Sequence, residues 1–342
     1  MNVKVSTKMA ESKSALAVKL LKSFLSNYLF IVLIGIVVLG SILSPYFLTS
    51  RNIGNVLTFA AVVSIIAVGQ FFVIVTGGID LSVGSMVALS TVIAAVSMKS
   101  GASPFMSSIF ALLITSGFGG LSGLLVIKAK IAPFIATLAM MSIVRGVSYL
   151  VQISSLISIR NEGFISFFAG KTLGVSHPVI IFVFLMLVSA FVMKYTTYGR
   201  RLYAIGGNAE AARLSGLSVD NTIFSVYLLN GFLAGLAGLI LAAQLTQGSS
   251  LLATGYELDA IAAVVVGGAS LSGGSGNPIK AVAGGLVIAI LGNIMNLMTI
   301  PSEPQQVVKG GLIIIAVIFI GGEFKQNVQK KRKMKSDNKY SA

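Results

Sequence analysis

The chain has no cysteine, one histidine, seven prolines and only 10% charged residues among 342. Without cysteine there can be no disulfide, no thiolate nucleophile and no Cys-ligated zinc or iron-sulfur centre. The one histidine, His177, precedes Pro178 in a stretch without acidic neighbours, so it reads as a solvated loop residue and no metal centre is expected. No nucleophile-base-acid set is visible, which leaves no catalytic residues and speaks against enzyme chemistry. Gly170-Lys171-Thr172 ends like a phosphate-binding loop, but Ile165 stands where that motif needs its first glycine. No ATP site and no cofactor are therefore expected in this chain. A soluble domain carries roughly 25% charged residues; 10% charged with 55% hydrophobic excludes a water-soluble globule.

What the chain has in abundance is glycine, 37 residues set inside apolar runs, as in membrane helices packed through small residues. The net charge of +15 could suggest nucleic acid, yet 12 of the 25 basic residues lie in two tails, Lys4 to Lys22 and Lys325 to Lys339. Basic tails on an apolar body are topology signals, and the expected surroundings are a lipid bilayer rather than nucleic acid.

A helix needs about 20 apolar residues to cross the hydrocarbon. Runs of that order fall at 29-48, 56-76, 83-98, 105-127, 131-151, 178-193, 222-245, 258-273, 279-300 and 306-321. The expected fold is an all-α polytopic membrane protein of about ten transmembrane helices, some short or broken. A cytoplasmic tail at 1-28, a transmembrane domain at 29-321 and a basic tail at 322-342 divide the chain. With the amino terminus inside, 19 basic residues fall on the cytoplasmic side and four outside, so the positive-inside rule places both termini in the cytoplasm. The residues after the first span, Ser44-Pro45-Tyr46, form no signal-cleavage site.

Two segments are odd for a membrane chain. Thr76-Gly77-Gly78-Ile79-Asp80-Leu81-Ser82-Val83-Gly84-Ser85 carries the one acid between residues 12 and 161. Paired glycines release the backbone from helical geometry, and irregular backbone at membrane depth must be buried in protein or line a wet cavity. Gly77, Gly78, Asp80 and Ser82 are thus candidates for a broken helix along a translocation pathway; alternatively, or in addition, Asp80 caps a helix beginning at Leu81. A near copy, Val266-Gly267-Gly268-Ala269-Ser270-Leu271-Ser272-Gly273-Gly274-Ser275, matches at 6 of 10 positions. It reads either as a repeat or as a coincidence of common letters, and the span count gives both copies the same orientation.

The cytoplasmic loop 194-221 should contain a short helix. Asn208 can cap it, Ala209 to Leu214 form it and Gly216 stops it. Asn208, Glu210, Ala211, Ala212, Arg213 and Gly216 are candidates for docking in a soluble partner's groove, against the alternative of a plain interfacial helix. The outer loop 152-177 is long for a helix connection. Arg160, Glu162 and Lys171 flank Phe164-Ile165-Ser166-Phe167-Phe168, so a surface helix with its aromatics in the lipid interface is expected, serving as a docking site or as a rim seal. Gln70, Asn230, Gln244, Asn293 and Asn296 lie within spans and either line a pathway or tie helices together.

At these residues a family resemblance becomes visible. The segment 76-85, the loop Gly199-Arg200-Arg201-Leu202-Tyr203-Ala204-Ile205-Gly206-Gly207-Asn208 running to Arg213-Leu214-Ser215-Gly216, and Gly255-Tyr256-Glu257-Leu258-Asp259-Ala260-Ile261-Ala262 onward to Gly267-Gly268 make the chain similar to permease subunits of bacterial ATP-binding-cassette importers for monosaccharides, the ribose-type group. Glu210-Ala211-Ala212 with Gly216 resembles the loop by which such permeases contact their ATPase, although Leu228 is followed by Leu229 where that motif usually has Leu-Pro. The resemblance implies a second permease subunit, usually in a homodimer, and a cytoplasmic ATPase holding ATP and magnesium. It also implies an extracytoplasmic sugar-binding protein that sets most of the specificity. The rival reading is an ion-coupled transporter or channel using Asp80, Arg145, Glu257 or Asp259. It is disfavoured because these acids read as lying near the ends of spans rather than at the midplane.

Overall fold

The computed structural model describes residues 28-152, 156-312 and 314. The expected tails lie outside these residues but for Tyr28, as does the end of the last expected span. Twelve helices are taken in order: α1 (Tyr28–Leu43), α2 (Ser50–Val75), α3 (Val83–Lys99), α4 (Pro104–Ile127), α5 (Pro133–Val151), α6 (Glu162–Ala169), α7 (His177–Tyr195), α8 (Thr197–Gly207), α9 (Ala209–Leu214), α10 (Val219–Leu245), α11 (Tyr256–Val266) and α12 (Pro278–Leu297). Further helical turns run over 302-312. Proline opens α4, α5, α7 and α12 in the first turn, where its missing N–H costs nothing.

Six of these, α2, α4, α5, α7, α10 and α12, are long and apolar enough to cross a membrane, and α1 and α3 are shorter apolar helices. The expected span at 258-273 is a correction. Only the 11 residues of α11 are helical there, about 16 Å of rise against a hydrocarbon core of about 30 Å. Gly268 adopts φ +83° and Ala269 N–H closes back to the Val264 carbonyl at 3.2 Å, a left-handed glycine turn that ends the helix halfway. Among the described residues the expected ten spans are therefore six full-length helices with shorter partners.

The core lies around α2 and α10, with 89% and 78% of their most apolar stretches buried, whereas α4, α5 and α7 have 33%, 28% and 22% and turn large apolar faces outward. α10 packs chiefly on α4, then on α3 and α2; α12 packs on α2 and α11. The α4–α10 seam is made of small residues four apart. A Cβ at Gly119 would overlap the Tyr227 carbonyl, and one at Gly231 would overlap the Thr115 carbonyl, so the two backbones touch as they do in small-xxx-small membrane pairs.

The loop 196-218 and the turns at 76-78 and 267-277 gather on one face, here called lower. The opposite, upper face carries two short ladders. β1 (Ile157–Ser158) pairs antiparallel with β4 (Gln247–Gly248), Ile157 opposite Gly248, and β2 (Lys171–Thr172) forms a hairpin with β3 (Val175–Ser176). A helix does form in the long upper loop, α6, capped by Asn161 Oδ1 accepting from Phe164 N–H at 3.0 Å. Its aromatics differ from the expectation: Phe164 and Phe168 are buried among protein side chains and only Phe167 is exposed, because α6 packs on α10 and α7 rather than lying free in lipid.

The seam makes a sharp prediction. Gly231→Leu should abolish monodisperse protein in fluorescence-detected size exclusion or lower its thermal midpoint markedly, since overpacking of this kind costs about 1–3 kcal/mol or more. Gly117→Leu, on the same α4 but with nothing within 4 Å of an added Cβ, should behave as the parent. Equal behaviour of the two variants would show that the helices are not in backbone contact.

Candidate functional site

The segment after α2 is the most constrained part of the molecule. Gly77 takes φ +84° and Gly78 N–H reaches the Val73 carbonyl at 3.1 Å, which ends α2 by the same glycine turn that ends α11. Residues 78-82 then run without helical structure back into the protein. Three helices hold them. With its amide turned to match its neighbours, Gln70 of α2 donates to the Asp80 carbonyl at 3.2 Å and accepts from Asp80 N–H at 3.1 Å. Thr137 of α5 donates to the Ile79 carbonyl at 3.1 Å. Asn230 of α10 donates from Nδ2 to Asp80 Oδ2 at 2.9 Å.

Asp80 Oδ1 accepts from Ser82 N–H at 2.8 Å and from Ser82 Oγ at 2.5 Å. Gln70, Asp80, Ser82 and Asn230 are all fully buried. α3 begins at Val83, not Leu81, and Ser82 at its N-cap makes no side-chain cap bond. Asp80 instead closes a turn onto the N–H two residues on, an alternative that short acidic side chains offer the backbone. Asn230 stands 11 residues into α10, about 16 Å above its lower end, so Asp80 lies deep rather than near a span end.

A second non-helical segment enters from the upper face. After β4, Ser249 N–H donates to Thr91 Oγ1 at 3.2 Å, and Thr91 Oγ1 donates to the Ser249 carbonyl at 3.3 Å. Thr91 is eight residues inside the upper end of α3, about 12 Å down. Arg145 Nη1 of α5 donates to the Ser250 carbonyl and, at 3.0 Å, to that of Leu252, while Gln152 Oε1 accepts from Ser250 N–H at 2.6 Å. Gly255 at φ +87° then starts α11, which descends to end against Lys280 at the foot of α12.

The two dips meet. A Cβ on Gly84 would lie 2.8 Å from the Ala253 carbonyl and would overlap the Glu257 carboxylate, so the starts of α3 and α11 abut while their helices run to opposite faces. The premise that these acids sit at span ends is thus corrected. Asp80 and Glu257 lie inside, but Asp80 is committed to three donors, and Asp259 is paired with Lys309 of the last described helical turns at 2.8 Å.

The sequence copy at 266-275 forms a second helix-ending turn on the same lower face, in the shared orientation that the span count gave, with Ser272 N–H donating to Ser270 Oγ at 3.2 Å as Ser82 N–H does to Asp80. Gly267 and Gly268 form that turn, and Gly273 lies against Gly77. The segment that opposes 76-82 from the other face is 249-257, whose letters resemble it little.

The remaining candidates are placed apart. Asn293 exchanges two amide bonds of 2.9 Å with Asn52 of α2, Asn296 Oδ1 accepts from Gln305 at 2.8 Å, and Gln244 donates to the Thr58 carbonyl at 3.2 Å. In the lower loop Asn208 Oδ1 accepts from Ala211 N–H at 2.9 Å and caps α9. Gly216, φ +79°, follows its end. Glu210, Ala211 and Leu214 are exposed, while Ala212 packs on Ile205 and Val219. Arg213 pairs with Asp220 at 2.8 Å, a surface bridge of small energetic weight.

α8 joins this loop to the lower dip and to the 267-277 loop. Gly206 packs directly on the Val75 carbonyl and on Gly274, and Tyr203 Oη donates to the Gly276 carbonyl at 2.9 Å. Arg160, Glu162 and Lys171 are exposed on the upper loop. Sequence reasoning did not single out Thr137, Thr91, Gly84, Gln152 or Asn52. For the first four, the partners are remote in the chain, backbone atoms in each case and for Gly84 the Glu257 carboxylate as well.

Asn230 Oδ1 is buried without a partner, which makes the Asp80 substitutions discriminating. Asp80→Asn should accumulate to near parental level, because the new amide can donate to that oxygen after Asn230 turns over. Asp80→Leu should lose at least about 1–3 kcal/mol at each donor it orphans and fail to yield folded protein in size exclusion. Equal yields of the Leu variant and the parent would show that this set does not hold the turn.

Residues 52–317 match the family described as "Branched-chain amino acid transport system / permease component". The chain is 43% identical over 286 residues to "Ribose import permease protein RbsC" of Bacillus subtilis (strain 168), covering 83% of this chain and 89% of that one. It is 40% identical over 295 residues to the protein of the same name from Escherichia coli (strain K12), covering 84% and 91%. Against "D-allose transport system permease protein AlsC" of Escherichia coli (strain K12) identity is 36% over 289 residues, covering 84% and 89%. No solved structure matches the chain.

Proposed function

Because this chain belongs to the branched-chain amino acid transport permease family, we propose that it works as the membrane-spanning permease subunit of an ATP-driven bacterial importer of monosaccharides, ribose first among them. The observation that carries the reading is the 43% identity to a ribose import permease across most of both chains. The chain is a multi-pass plasma-membrane protein and not an enzyme. Hydrolysis belongs to a separate ATPase that holds ATP and magnesium, and an extracytoplasmic binding protein delivers the sugar. Two copies of the chain form the pathway.

The lower face is cytoplasmic and both termini lie there, a reading supported by the bias of Lys and Arg toward that side. α9, with Glu210 and Leu214 exposed beside a capped and glycine-stopped turn, is the surface for the ATPase groove. Movement there has a short route upward, since α8 rests by Gly206 on the last carbonyl of α2 and on the 267-277 loop. The lower dip is anchored at the first of those points, and the loop that follows α11 at the second. Gly77, Gly78, Asp80, Ser82, Gly267 and Gly268 are in this reading the hinge region of the pathway rather than its sugar contacts. Gln70 and Asn230 are its ties, while Asn293 and Asn296 brace α12. Arg160, Glu162 and Lys171 on the upper loop are the docking charges for the binding protein, and their effect is screened by salt.

Reconstitution of the chain with its ATPase and binding protein tests the whole. ATP-dependent uptake of labelled ribose is expected, and uptake that persists without the ATPase would overturn it. Within that assay Glu210→Arg should lower uptake at least tenfold while insertion is unchanged, because it inverts the charge offered to the groove. Normal uptake and normal ATPase co-purification with this variant would place the docking surface elsewhere.

A further inference from the structure

At the upper face lies a cavity of about 780 Å³ that the broken helices do not use. Its walls come from the first turns of α2, the β2–β3 hairpin, the start of α7 and Gln244 at the end of α10. Two charged side chains line it, Arg51 and Lys171, both cationic, and neither is ion-paired among the described residues. Around them stand neutral polar groups. Asn55 is exposed in the wall, and Thr58 and Ser176 share a hydroxyl bond of 3.1 Å. The volume is of the size that holds an organic ligand rather than a single ion.

The hairpin and the helix that contribute to its wall also expose apolar side chains. Leu173 at the hairpin tip is 99% exposed, Val175 beside it 45% and Phe184 on the outward face of α7 63%, on a helix whose apolar stretch is only 22% buried. Cations and hydroxyls inside a hollow, with a hydrocarbon-facing ridge beside it, fit a molecule that is anionic at one end and apolar at the other.

We propose that this cavity binds the phosphate-bearing headgroup of an anionic phospholipid in the leaflet at the upper face. Arg51 and Lys171 hold the phosphate, the Asn55 amide meets the glycerol oxygens, and the acyl chains lie along Val175 and α7. A surface cation that attracts lipid phosphate needs only proximity; two converging on one hollow with no acid to quench them select the lipid from the bulk.

The test is lipid retention by the full chain. Wild-type protein in nanodiscs of equal phosphatidylglycerol and phosphatidylcholine is expected to hold phosphatidylglycerol in excess of the bulk ratio in native mass spectrometry. The pair Arg51→Gln with Lys171→Gln should reduce that preference by roughly tenfold. Lys99→Gln, which removes an exposed cation of the same face outside the cavity, should leave it intact. Equal enrichment in the parent and the double variant would overturn the proposal. In discs of phosphatidylcholine alone, thermal stabilisation by inorganic phosphate as large as that given by phosphatidylglycerol would assign the cavity to a free anion and overturn it as well. So would a double variant whose only loss in those discs is association with the binding protein, since that would make the hollow a protein-docking pocket.

Discussion

Hydrocarbon offers a bare peptide group no partner, so a chain that leaves helical geometry at depth must supply every hydrogen bond from its own neighbours. Residues 78-82 meet that constraint through Gln70, Thr137, Ser82 and Asn230, converging on one buried carboxylate and its flanking backbone. If this set fails, the segment has no reason to fold back inward, α3 cannot begin beside Asn230, and Gly84 loses its seat against Ala253 and Glu257. The small-residue seam between α4 and α10 serves the same end, because it fixes the helix on which Asn230 stands.

Two dips from opposite faces give the molecule a weak plane at its middle. Each is a stretch without continuous helix followed by a helix running away from the meeting point. The upper one is tied to α5 by Arg145 and Gln152, and the lower one to α2, α5 and α10. The lower one also rests on α8, which carries the exposed α9 immediately beyond it. A push on α9 thus reaches the end of α2 through one short helix and direct backbone packing at Gly206. Long uninterrupted helices would have to move as whole rods; broken ones can pivot at their glycine turns.

Much of the helical inventory was legible because hydrophobic runs and their breakers act locally. The cap at Asn208, the helix Ala209–Leu214 and the glycine after it could be read from neighbouring letters, as could a helix in the long loop after α5. The oddity of Asp80 was also visible, since a lone acid in so apolar a stretch stands out. What could not be read was depth. Residues 258-273 are mostly apolar, and only the backbone angle at Gly268 shows that the helix stops half-way. Asp80 and Asn230 are 150 residues apart, and nothing in either neighbourhood announces the other. The near copy at 266-275 has a physical reason: glycine turns that end helices use the same few letters wherever they occur.

The central claim is that residues 249-257 descend into the protein to meet the start of α3 instead of forming a loop above it. The chain has no cysteine of its own, so paired cysteines report this directly. Oxidation of the double variant Thr91→Cys with Ser249→Cys should join the two positions in intact membranes, while Lys99→Cys with Ser249→Cys should remain open. Efficient joining at 99 with none at 91 would place Ser249 at the surface and contradict the account.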